Sequence, residues 1–218
     1  MRISTLLTLV AVLIGGAASP AFANDQTSCH FQLVADSATG FHQGQSVGVL
    51  YSENTVSTLE YLEQYHSMAL NGAKNAGLDA RIREAFVNSS DPKLAIDWLK
   101  GSLQKQFASV TVYDNLDALM KARPDVVVML DTYNRLLTQR NTQVEARFVA
   151  KFYDSNLQYI GKAEGSGGKQ LSSVWVHEKA AAEIAAQIDQ QRELQVNALK
   201  QFDASLKALV VSGQVAAN

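Results

Sequence analysis

Five consecutive apolar residues, Val126-Val127-Val128-Met129-Leu130, follow Arg123-Pro124-Asp125 and lead into Asp131-Thr132-Tyr133. Three of the five are β-branched and the run is short, so it reads as a strand buried on both faces. Such a strand needs other strands beside it and helices over it, which sets the expected class as α/β. The expected architecture is a single mixed sheet with this run as its buried central strand, a β-hairpin in the C-terminal half, covering helices and a long C-terminal helix.

The N-terminus reads as a secretory signal peptide: Arg2 in a basic start, an apolar Leu6 to Ile14, and Ala21-Phe22-Ala23 as a cleavage pattern. That apolar run is shorter than the roughly 20 residues a membrane span needs. Residues 1–23 are expected to be removed after Ala23 in a periplasmic or secreted product. Residues 24–45 are expected to be a weakly structured mature N-terminus, with Phe31 and Leu33 as a candidate edge strand, and 46–218 to form one α/β domain. A formal net charge of −2 argues against nucleic acid as a partner. Cys29 is the single cysteine, which excludes an intrachain disulfide. The polar Gln26-Thr27-Ser28 before it does not match a lipoprotein signal. The product is therefore expected to be neither membrane-spanning nor lipidated, with Cys29 an unpaired thiol in preference to one half of an intermolecular disulfide.

Local patterns place the other elements. Ser46 to Tyr51 reads as a strand, and Ser57 with Glu60 as a capping box opening a helix that ends at Gly77. That helix would bury Leu59, Leu62, His66, Ala69, Leu70 and Ala73. Arg81 to Val87 fits strand or helix. Asp91-Pro92 starts a helix with Leu94, Ala95, Trp98, Leu99 and Leu103 as its buried stripe. Ser109 to Tyr113 reads as a strand, and Asp114 as the cap of a short helix through Leu116, Leu119 and Met120 that Pro124 closes. Val144, Ala146, Phe148, Ala150 and Phe152 alternate with a mostly polar set. After a turn at Asp154-Ser155-Asn156, Leu157 to Glu164 returns as a strand, and Gly165-Ser166-Gly167-Gly168 ends it. Finally, Ala181, Ile184, Ile188, Gln191, Gln195, Ala198, Phe202, Leu206 and Leu209 keep one helical register. Gln191 and Gln195 interrupt that stripe and suggest that the helix leaves its first contact surface there.

Motifs that carry chemistry are weak. Gly165-Ser166-Gly167-Gly168-Lys169 sits where a phosphate loop would, but Ala163 and Gln170 replace the required glycine and hydroxyl. A strand-to-helix connector is the plainer reading. His30, His42, His66 and His177 form no close pair, so no metal and no cofactor is expected. Asp125 and Asp131 would stand about 20 Å apart on an extended strand, too far for a carboxylate pair. No nucleophile, base and orienter assemble from the sequence, so no catalytic residues are assigned.

The order of a buried strand, an alternating hairpin turning near Tyr153-Asp154-Ser155-Asn156, then Tyr159-Ile160-Gly161-Lys162-Ala163-Glu164-Gly165-Ser166-Gly167 and a long Ala-rich helix resembles a bacterial envelope fold. It is similar to the α/β domain of the curli-secretion lipoprotein and the amino-terminal domain of TolB. The resemblance implies a non-catalytic envelope component working through protein contacts, with another envelope protein or a second copy as partner. Phe202, Leu206 and Leu209 are then the candidate interaction surface, against the plainer expectation that they pack on the domain's own core. The alternative is a periplasmic small-molecule binding protein with its site at the strand ends near Asp131, Tyr133 and Arg135.

Overall fold

The computed structural model describes residues 40–72, 79–138, 140–174 and 179–216. The expected signal peptide, Cys29, the Phe31–Leu33 segment, Gly77 and His177 lie outside them. In chain order the elements are β1 (Ser46–Tyr51), α1 (Glu53–Gly72), α2 (Ala80–Ser89), α3 (Lys93–Gln104), β2 (Ser109–Val112), α4 (Leu116–Ala122), β3 (Val126–Arg135), β4 (Gln143–Asp154), β5 (Tyr159–Gln170) and α5 (Ala181–Ala216). One five-stranded sheet has the order β2-β1-β3-β4-β5. β1 runs parallel to β2 and β3, while β3, β4 and β5 are antiparallel, so the sheet is mixed and β3 is its middle strand. No described helix is long and apolar enough to cross a membrane.

The main core lies on one face of the sheet. Val126, Val128 and Leu130 of β3, with Ala146, Phe148, Ala150 and Phe152 of β4, meet Ala95, Leu99 and Leu103 of α3 and Ala198, Leu199, Phe202 and Leu206 of α5. Phe41 joins this core at 1% exposure, its ring edge-on to Phe152 at 5.4 Å and to Phe107 at 5.9 Å. The segment before β1 is therefore anchored at its end, contrary to the expectation of weak structure through residue 45. Among the described residues, the apolar cluster on the opposite face sits near the start of β3, where Leu119 of α4 packs with Leu50 and Val127. Met129 is 37% exposed. Burial on both faces thus holds for Val126 to Val128 and not for the whole apolar run.

β3 extends past its parallel neighbour, because Tyr51, the end of β1, pairs with Leu130. Helix α1 takes over that edge with hydroxyl groups. Thr55 Oγ1 donates to Leu130 O (2.9 Å) and accepts from Thr132 N–H (2.8 Å), while Thr58 Oγ1 donates to Thr132 O (3.0 Å). Tyr65 Oη continues the series to Leu137 O at 2.8 Å. Backbone groups that no strand pairs are in this way satisfied inside the protein. The helix accordingly buries Thr55, Thr58 and Leu62, whereas Leu70 is 45% exposed.

Other local expectations shift. The cap of α1 is Ser52, whose Oγ accepts from Thr55 N–H at 3.1 Å, so the Ser57–Glu60 pair lies within the helix. Residues 80–89 are helical, with Asp79 as the cap. The cap position of α3 is Pro92 and not Asp91, one residue later than expected, although Asp91 Oδ1 still accepts from Lys93 N–H at 2.9 Å. For α4 the cap is Asn115 and not Asp114, and of its apolar residues only Leu119 is buried.

β5 does not stop at its glycines but continues to Gln170, so no connector loop exists at 165–169. A Cβ at Gly165 would lie 2.0 Å from Ala198 O and 2.5 Å from Phe202 N. The backbone of α5 rests directly on this strand, and Gly161, Ala163, Gly165 and Gly167 form the shallow track that receives it. The single α5 register expected from the sequence is present.

Candidate functional site

The three residues proposed to bind a ligand do come together. Asp131, Tyr133 and Arg135 alternate along β3 and share the sheet face opposite the main core, opposite Val149, Arg147 and Glu145 of β4. Asp131 is interior to the strand and not at its end, because β3 runs on for four more residues beyond it. Its carboxylate is already engaged: Oδ1 accepts from Ser52 Oγ (2.9 Å) and Asn54 Nδ2 (3.0 Å), and Oδ2 lies 3.5 Å from Arg147. Arg135 Nε donates to Tyr133 Oη at 3.0 Å and its guanidinium stands 5.8 Å from the Tyr133 ring centre. The set thus ties α1 to the sheet and orders a solvated face. Beside it, burial pushes the Tyr61 and Tyr65 phenols above their ordinary values.

Phe202, Leu206 and Leu209 belong to the fold itself. Phe202 and Leu206 are buried at 0% and 1% exposure, and Leu209 packs against the same core beside Gly161. Phe202 and Leu206 thus have no exposed surface to offer a partner, and Leu209 is half-buried. Gln191 and Gln195 are buried as well, contrary to the idea that α5 leaves its contact surface there. Gln191 Oε1 accepts from Leu137 N–H, and both side-chain amides donate to Ser89 O (3.3 and 3.5 Å). They form a polar layer between the main core and a second apolar cluster containing Ile82, Ala85, Leu171 and Ile188.

A different surface offers concave space. Between α2 and α5 runs an open groove of about 790 Å³. Ala85, Ala182, Ala185 and Ala186 line its base, and Arg81, Glu84, Asp189, Arg192, Glu193 and Lys200 stand along it. Its position follows from the packing just described. Ile82 and Ala85 hold α2 against Ala185 and Ile188 of α5, and Gln191 and Gln195 fasten the C-terminal end of α2 through Ser89. Alanines at successive turns keep the walls low, so the helix backbones come near the surface. At one end, the Arg81 side chain beside Asp79 holds that carboxyl down at about 2. This groove has no sequence signal, because Arg81 to Val87 fits strand or helix and the outer alanines of α5 carry no motif.

No family model matches the sequence, and no curated protein matches it either. Among solved structures, two PelC dodecamers from Paraburkholderia phytofirmans, in space groups C2 and P6, are similar at 13% and 12% identity. The alignments cover 75% of this chain in both cases and 94% and 91% of theirs, with TM-scores of 0.33 and 0.31. Likeness this distant leaves function to be argued from this chain's own residues.

Proposed function

We propose that this protein is an exported, non-catalytic envelope component that works by holding a protein partner, and that the partner lays a helix along the α2–α5 groove. The groove itself carries the reading: it is long, open and alanine-based, and charges of both signs stand along it. Low walls let a third helix approach two others closely, at the interaxial distance of roughly 8–10 Å usual for packed helices. The fitting partner is an amphipathic helix with small apolar residues toward Ala85 and Ala186 and charges set to oppose Arg81, Glu84, Glu193 and Lys200. The small-molecule alternative is less well supported, since the Asp131 carboxylate is committed to Ser52, Asn54 and Arg147.

Two measurements test the proposal. Export predicts an intact mass beginning at Asn24 in envelope material; a chain retaining Met1 there contradicts it. For docking, a photo-reactive phenylalanine analogue at Ala186 should cross-link one protein in living cells. The same probe at Glu60, on the outer surface of α1, should not. Equal adducts from both positions, or none from Ala186, would overturn the groove assignment.

A further inference from the structure

The two edges of the sheet are treated differently. Along β5, α5 lies close enough for Ser205 Oγ to accept from Glu164 N–H (3.1 Å) and Gln201 Oε1 from Ser166 N–H (3.4 Å). A helix over an edge is one way of protecting it from pairing with another chain. At the other edge, β2 is Ser-Val-Thr-Val, with neither charge nor proline, and no side-chain hydrogen bond covers it among the described residues. The register pairs Val49 with Val112, and Tyr113 N–H donates to Val49 O at 2.9 Å. Thr111 and Tyr113 therefore turn their backbone groups toward β1, and Val110 and Val112 turn theirs to the open side. Val112 is also 38% exposed.

We propose that β2 is a self-association edge. A second copy pairs with it antiparallel about a two-fold axis at Thr111, setting Val110 opposite Val112 of the second copy and joining the two sheets into one. A second copy fits because a two-fold contact requires an edge complementary to itself, and this one is. Exposed Lys105 lies four residues before β2 and exposed Asp114 two residues after it. Antiparallel pairing brings the start of one strand to the end of the other, so the lysine end of each copy faces the aspartate end of its mate; a parallel arrangement would set like ends together. The outward N–H and C=O groups of Val110 and Val112 complete a ladder with their own equivalents. Because α5 packs on β5 and β4, this edge is separate from the α2–α5 groove, and either surface can fail without the other.

The register makes a cross-link decisive. Thr111 would face its own equivalent as a non-hydrogen-bonded pair, with Cα atoms about 4.5 Å apart, within disulfide reach. Ser109 would lie far from its equivalent. In a Cys29→Ser background, mild oxidation should link Thr111→Cys into a dimer and leave Ser109→Cys monomeric. Sedimentation of the otherwise unmodified chain should show dimer growing over a hundredfold rise in concentration, roughly as mass action requires. Val112→Pro removes one outward N–H, spares the β1 ladder, and should weaken that dimer at least tenfold. A chain monomeric throughout with no link at 111, equal linking at 109 and 111, or a dimer indifferent to Val112→Pro would each overturn the proposal. If Val112→Pro does not fold, the two cysteine variants still decide it.

Discussion

Replacing Gly165 with alanine adds one methyl group at the place where α5 touches the sheet most closely. The new Cβ would stand 2.0 Å from Ala198 O and 2.5 Å from Phe202 N, and both are backbone atoms that no rotamer change can move aside. Either the strand or the helix must shift. Overpacking of this kind costs about 1–3 kcal/mol, and more where the backbone is rigid. A lifted α5 also loosens Phe202 and Leu206, each contributing about 1.5–3 kcal/mol when fully buried. We expect a loss of at least 3 kcal/mol, which for a domain of this size lowers Tm by roughly 6–12 °C. Gly168→Ala is the matched control, because its Cβ would meet only Val144 O at 3.8 Å. Gly167→Ala should fall between, with Leu194 Cγ at 3.3 Å and free to adjust. Calorimetry of the three variants measures the order directly. If Gly165→Ala melts with Gly168→Ala, α5 does not rest on the strand and the glycine track is misread.

Three further outcomes follow from the packing. Val128→Asp places an unpartnered carboxylate at a site of 0% exposure, a cost of several kcal/mol against a total near 5–15, so soluble folded protein should be lost on expression. Gln191→Leu keeps the volume but strips the buried Leu137 N–H of its acceptor, and urea denaturation should show a loss of about 1–3 kcal/mol. The Asp125 carboxyl is held below the ordinary carboxylate range by hydrogen bonds from Ser46 N–H and Oγ, both 2.7 Å. A lowered folded value stabilises the protein above the unfolded pKa of about 3.9, and that contribution disappears as pH falls through the folded value. Asp125→Asn should therefore flatten the acid side of the stability profile and leave the neutral side nearly as steep as before.

Much of the fold was legible because the signals were local and periodic. The β4 alternation, a strand at Val126–Leu130, a helix start close to Asp91 and the unbroken α5 register each depend on neighbours in sequence, and the structure keeps all four. What was not legible depends on distant partners. Ser57 and Glu60 form a sound capping pattern, yet Ser52 starts α1 because its own backbone N–H donates to Leu130 O across the sheet. Thr55 and Thr58 are ordinary helix residues until β3 outruns β1 and needs hydroxyl partners. Gly165 to Gly168 look like a loop in isolation, and only the arrival of α5 shows why the strand needs small residues there. Gln191 and Gln195 mislead for the same reason, since Leu137 N–H and Ser89 O lie 54 and more positions away. The groove was hidden because alanines on an outer helix face read as nothing in particular until α2 is placed beside them.

The docking claim is tested most directly with the protein that cross-links to Ala186, once purified. Titration calorimetry should compare its affinity for the parent chain and for Ala186→Arg, which fills the groove base with a long cation. We expect at least hundredfold weaker binding, about 2.7 kcal/mol, with Tm unchanged because Ala186 is exposed. Equal affinity for the two chains would contradict the account.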